Sequence, residues 1–190
     1  KRFYPPRNIP ARPTTDFAKE ALFNILNNHF DFSEVKFLDL FAGTGSLDME
    51  MFSRGCTDIT SVDMSKISLG FIKKMSEEVK IPNHKIIFGD AVAFARNCKQ
   101  QYDLIFAGPP YALDCIDEIP DIIFDKKLLR LKKEIFIIRH GQTDYNLKGI
   151  VQEIIKLISR EEFNLEVLQQ ENISNEYKIV FNQKEIGCIG

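Results

Sequence analysis

No two cysteines of this 190-residue chain stand close enough to form a C-x-x-C pair. Cys56, Cys98, Cys115 and Cys188 are scattered, which argues against a zinc site and a disulfide framework and fits reduced thiols. The three histidines (His29, His84, His140) have no metal-ligand spacing, so no metal is expected. Apolar runs fall well short of the roughly 20 residues that span a bilayer. The opening Lys1-Arg2-Phe3-Tyr4-Pro5-Pro6 lacks the apolar stretch of a secretory leader, and a cytoplasmic location without membrane contact is expected. There is no internal repeat, low-complexity tract or clear domain boundary, so residues 1–190 read as one domain. Strong net charge is absent too: a formal balance of -2 argues against an avid polyanion binder.

What is present fits a globular domain of ordinary size, 44% hydrophobic with 16 phenylalanines. The charge is unevenly spread. Residues 1–30 hold five Lys/Arg against two Asp/Glu, a local +3, whereas residues 160–190 hold three against six, a local -3. Lys1, Arg2, Arg7 and Arg12 all precede the first acid, Asp16. Residues 1–16 contain four of the eight prolines and read as an extended basic arm. From Phe17 the apolar spacing turns helical, with Thr14, Thr15 and Asp16 as N-cap candidates.

A rhythm follows. Short apolar runs at Lys36–Phe41, Asp58–Val62, Lys85–Phe88, Asp103–Ala107 and Ile135–Ile138 alternate with helical stretches such as Ser46–Arg54, Ser65–Val79 and Ala91–Cys98. Strands alternating with helices predict right-handed crossovers and a mainly parallel sheet. Asn164–Leu168 and Tyr177–Phe181 are strand-like without a helix between them, and an antiparallel hairpin at the sheet edge is expected there.

In such a sheet the ligand crevice lies beyond the carboxyl ends of the strands. After the first run comes Asp39-Leu40-Phe41-Ala42-Gly43-Thr44-Gly45, whose glycines permit a sharp turn and close approach to a ligand. A dinucleotide fingerprint needs a further glycine at position 48. Asp48 stands there, and an acid at that approach is expected to disfavour a pyrophosphate. After the second run Asp63 suits two ribose hydroxyls or caps the next helix, although Ser65 can also cap it. After the third run Asp90 either contacts an adenine amino group or caps helix 91–98. Three acids at adjacent strand ends make a coherent adenosine site. After the fourth run, Gly108-Pro109-Pro110-Tyr111 forms a rigid elbow followed by an aromatic ring able to stack on a base.

These residues resemble the class I S-adenosylmethionine-dependent methyltransferases that act on amino groups. With Ala11-Arg12-Pro13-Thr14-Thr15-Asp16, Lys19-Glu20-Ala21-Leu22-Phe23-Asn24 and Phe52-Ser53-Arg54-Gly55, the chain is similar to the bacterial 16S rRNA guanine-N2 methyltransferases, the RsmD family, over about residues 1–140. The resemblance implies a Rossmann-like α/β fold: a mainly parallel seven-stranded sheet, helices on both faces and an antiparallel C-terminal hairpin. It also implies methyl transfer from S-adenosyl-L-methionine to the exocyclic N2 of a guanine, by a monomer acting on 16S rRNA or a small ribosomal subunit particle. Residue by residue, it assigns Asp39, Phe41, Ala42, Gly43, Thr44 and Gly45 to the methionine end. Asp63 and Met64 fall at the ribose, Asp90 and Ala91 at the adenine, and Tyr111 on the flipped base. Lys1, Arg2, Arg7 and Arg12 would meet RNA phosphate.

Two features depart from the pattern. The family elbow begins with Asp or Asn, whose side-chain oxygen accepts from the target amine; position 108 here is glycine. Weak methyl transfer, or a non-catalytic RNA-binding protein on the same fold, is the alternative this raises. In addition, Ile138-Arg139-His140-Gly141-Gln142-Thr143-Asp144-Tyr145-Asn146-Leu147-Lys148-Gly149 resembles the phosphohistidine signature of the histidine phosphatases, with His140 as nucleophile. That family draws a second His from far downstream, and no His follows Gly149 here.

Overall fold

The computed structural model describes residues 3–6, 9, 16–27, 30–110, 118–130, 135–138, 177–181 and 184–189. Helix α1 (Asp16–Leu26) leads into strand β1 (Lys36–Leu40), and the chain then alternates through α2 (Ser46–Ser53), β2 (Asp58–Asp63), α3 (Lys66–Val79), β3 (Asn83–Phe88), α4 (Ala91–Asn97), β4 (Leu104–Ala107), α5 (Glu118–Asp125) and β5 (Ile135–Ile138). The five strands pair in parallel in the order β3-β2-β1-β4-β5. The order reverses between β1 and β4, which opens a crevice where their carboxyl ends diverge.

Alternation along the strands sorts the core into two layers. Phe37, Ile59, Leu104 and Phe106 face one side, against Leu22, Phe23 and Leu26 of α1 and Leu47 and Met51 of α2. Leu38, Leu40, Val62, Ile105 and Ala107 face the other, against Ala91 and Ala95 of α4 and Ile119 and Ile123 of α5. Each fully buried side chain of this size contributes about 1.5–3 kcal/mol. The Phe52-Ser53-Arg54-Gly55 segment has a packing role. The Arg54 guanidinium lies 4.9 Å over the Phe23 ring and its Nε donates to Glu50 Oε1 at 2.8 Å, joining α1 to the end of α2.

The parallel α/β architecture agrees with the sequence rhythm, and most elements lie within one or two residues of their expected bounds. Helix α5 was not foreseen; Pro120 falls in its first turn, where a missing N–H breaks no intrahelical bond. Strand β6 (Tyr177–Phe181) pairs antiparallel with β7 (Lys184–Ile189) in a separate two-stranded sheet. The expected partner strand, 164–168, lies outside the described residues, as does the arm at Lys1, Arg2, Arg7 and Arg12. No helix among the described residues is long and apolar enough to cross a membrane.

Candidate functional site

The loop after β1 is shaped by its backbone. Phe41, Gly43 and Gly45 have φ of 72°, 55° and 67°, all in the left-handed region. For Phe41 that conformation is strained by roughly 1–3 kcal/mol, and such strain clusters at functional sites. The N–H groups of Phe41 and Ala42 both donate to the Val62 carbonyl at 3.0 Å, holding the loop against β2. Gly45 caps α2, and a Cβ there would stand 2.7 Å from Ile72 Cγ1, so backbone conformation and the packing of α3 both demand glycine.

Asp63 locks this loop. Its Oδ2 accepts the Gly43 N–H and its Oδ1 accepts the Ser65 N–H, each at 2.7 Å. The half-buried carboxylate is thus fixed in orientation, and each oxygen keeps acceptor capacity for a ligand hydroxyl. Helix α3 is capped by Ser65, whose Oγ accepts the Ser68 N–H at 3.2 Å, so Asp63 is not its cap.

Asp90 is the N-cap of α4: its Oδ1 accepts the Ala93 N–H at 2.6 Å. Around these carboxylates stand exposed apolar side chains, Met64 at 67%, Phe88 at 58% and Ile67 at 48%. The Lys66 ammonium lies 5.1 Å over the Phe88 ring. Apolar groups left open beside fixed carboxylates fit a flat, partly apolar ligand with polar edges. Phe88 was not singled out in the sequence, where it reads as the last residue of a strand. Asp90→Ala is expected to lower stability by about 1 kcal/mol, and Asp90→Ser to retain it by capping. Loss of nucleoside affinity in the serine variant, measured by calorimetry beside thermal unfolding, would identify an adenine contact.

At the end of β4, the Gly108 N–H donates to the Leu40 carbonyl at 3.2 Å, which brings the elbow beside the glycine loop. Pro109 is buried and Pro110 exposed. A Cβ on Gly108 would meet the Phe106 ring edge at 3.2 Å. Tyr111 and the segment around His140 lie outside the described residues.

Beneath the loop sits a layer of buried polar groups. Asp39 is 1% and Asp48 0% exposed. Burial first, then the charges of Asp48 and Asp63, push the Asp39 carboxyl well above the usual range. Burial pushes Asp48 up to about 7, against the lowering effect of its hydrogen bond from Ser61. The expectation that Asp48 confronts a ligand phosphate is corrected here: its carboxylate turns inward, accepting the Ser61 hydroxyl at 2.7 Å. Asp39 is likewise a buried support rather than an open contact. Ala42, Thr44 and Ala91 are also buried, so their side chains pack inward. Among the described residues, no cluster of His, Cys, Asp and Glu is arranged to hold a metal ion.

The family model described as conserved hypothetical protein 95 matches residues 1–171. The ribosomal RNA small subunit methyltransferase D of Buchnera aphidicola from Acyrthosiphon pisum is 32% identical over 133 residues, covering 69% of each chain. Its counterpart from the Baizongia pistaciae symbiont is 28% identical over 126 residues, covering 66% of this chain and 64% of that protein. This chain therefore spans about two thirds of the length of these relatives. A solved Escherichia coli structure described as a methyltransferase superposes with a TM-score of 0.61 at 26% identity, over 68% of this chain and 72% of that one.

Proposed function

The chain belongs to the conserved hypothetical protein 95 family, that of the ribosomal RNA small subunit methyltransferases D, and on that premise we propose that it methylates the exocyclic N2 of a guanine in 16S rRNA using S-adenosyl-L-methionine. The observation that carries the reading is the Asp63 carboxylate, fixed by Gly43 and Ser65 and flanked by exposed Met64 and Phe88. That arrangement suits the ribose and adenine of the cofactor, with Asp90 and Ala91 at the adenine edge. The loop from Phe41 to Gly45 would border the methionine end.

When bound, the cofactor supplies an electrophilic methyl group on a sulfonium centre. The protein's task is then orientation more than acid–base chemistry. Guanine N2 is a weak nucleophile because its lone pair is delocalised into the ring. An acceptor aimed at the amine hydrogens favours the geometry in which the lone pair points at the methyl carbon. In this chain the Gly108 carbonyl is the acceptor left to do so. Pro109 and Pro110 stiffen the elbow, and Tyr111 would stack on the base once it has left its helix. Lys1, Arg2, Arg7 and Arg12 would neutralise RNA phosphates. The same reading puts the protein in the cytoplasm as a monomer.

Single-turnover transfer of labelled methyl to small ribosomal subunits and to free 16S rRNA tests this. Label on a guanine is the expected result. Failure both to bind S-adenosylhomocysteine and to label either substrate would refute it. Binding of nucleoside and RNA without transfer would instead support the non-catalytic alternative that Gly108 raises.

A further inference from the structure

The glycine loop rests on side chains whose polarity its packing alone does not need. The side chains of His84 and Asp48 are 2% and 0% exposed, and Ser61 between them is buried. Ser61 Oγ lies 2.7 Å from Asp48 Oδ2 and 2.7 Å from His84 Nε2. A hydroxyl has one proton to give. Ser61 gives it to Asp48, so His84 donates to Ser61 from Nε2–H. The reverse direction would move the imidazole proton to Nδ1, which is buried with no hydrogen-bond partner, and a buried unpaired N–H is costly. The relay therefore runs from His84 through Ser61 to Asp48, and it is strongest with Asp48 as a carboxylate.

Its three members come from three elements. Asp48 is in the first turn of α2, and its Oδ2 is 3.3 Å from where a Cβ on the capping Gly45 would stand. Ser61 lies in β2, in register with Asp39 of β1 and Ile86 of β3. His84 lies in β3. Building on the methyltransferase reading, we propose that Asp48, Ser61 and His84 are positioning residues, whose relay pins the start of α2 to β2 and β3 and so holds loop 41–45 in the shape that admits S-adenosyl-L-methionine.

The ionisable groups acting around Asp48 are Asp39 from β1, His84 from β3 and the Cys56 thiol from the turn before β2, with Asp63 acting on Asp39 from the end of β2. Helix α3 contributes the apolar Ile72 beside Gly45. Burial holds His84 down at about 4, so it stays neutral near pH 7, whereas Asp48 changes state there. Protonating Asp48 turns the charge-assisted bond at the end of the relay into a neutral one about half as strong, so loop order and cofactor affinity fall as pH drops through that value.

Calorimetric titration with S-adenosylhomocysteine, paired with hydrogen exchange of segment 39–50 without ligand, tests this on the full chain. Wild type is expected to bind about tenfold more weakly at about pH 6 than at about pH 8, the factor that a titration near 7 in the free protein sets. Asp48→Asn keeps an acceptor for Ser61 but has no proton to titrate, and should bind equally at both. Ser61→Ala should speed exchange in the segment by about tenfold and weaken binding at both. Flat wild-type affinity, pH dependence persisting in Asp48→Asn, or unchanged exchange in Ser61→Ala would each overturn the proposal. If Ser61→Ala does not fold, the Asp48→Asn profile decides. If wild type binds no S-adenosylhomocysteine at any pH, the methyltransferase reading fails, and the exchange comparison alone decides whether the relay holds the loop.

Discussion

Gly108→Asp is expected to raise single-turnover methyl transfer to small-subunit rRNA by roughly 100- to 1,000-fold, the effect of adding one preorganised acceptor at a reacting centre. The backbone permits it, since Gly108 is not among the positive-φ residues. The space is tighter. The new Cβ would stand 3.2 Å from Phe106 Cε1, so the ring must yield by a few tenths of an ångström. Phe106 is 6% exposed and packed among residues of α1 and α2, which resists that movement. The single substitution should therefore gain part of the rate, and Gly108→Asp combined with Phe106→Leu the remainder. S-adenosylhomocysteine affinity should stay the same in both. Rates equal to wild type in both variants would show that the missing side-chain oxygen does not limit the reaction.

Asp63→Ala is expected to weaken S-adenosylhomocysteine binding by at least about 100-fold. The carboxylate is proposed to accept two ribose hydroxyls, and hydrogen bonds to a charged group contribute about 1.5–3 kcal/mol each. It also receives the Gly43 and Ser65 N–H groups, and without it the Gly43 N–H loses its partner. The loop would then relax, and stability should fall by about 1–3 kcal/mol. Calorimetry and thermal unfolding read the two effects separately. Affinity unchanged in a folded Asp63→Ala variant would place the nucleoside elsewhere.

The parts of the fold visible in the sequence were those encoded locally. Ile135–Ile138 is a short apolar run bounded by Glu134 and Arg139, and Ser65 and Asp90 announce helix starts by residue type. Asp63 was recognisable from its distance past the glycine loop. Its partner, the Gly43 N–H, was not, because that bond closes over 20 residues. The Asp48–Ser61–His84 layer was hidden for the same reason. Its bonds span 13 and 23 residues, and Ser61 is a small polar residue inside an otherwise apolar run. Asp48 misled because residue type shows charge but not direction: on α2 the side chain points at β2, away from the crevice. Phe88 carried no signal, since an aromatic at a strand end is ordinarily buried, whereas here it is 58% exposed at the end of the outermost strand of the five-stranded sheet.

The reversal of strand order between β1 and β4 divides labour along one crevice. The groups proposed to grip the nucleoside follow β1, β2 and β3, and those proposed to meet the target base come from the elbow after β4. Selection can therefore rewrite one half without disturbing the other. A lineage that alters its elbow keeps an intact nucleoside grip, free to be turned to a new acceptor or retained as a sensor of cofactor supply. Gly108→Asp is a change confined to the acceptor half, made without touching any residue proposed to grip the nucleoside.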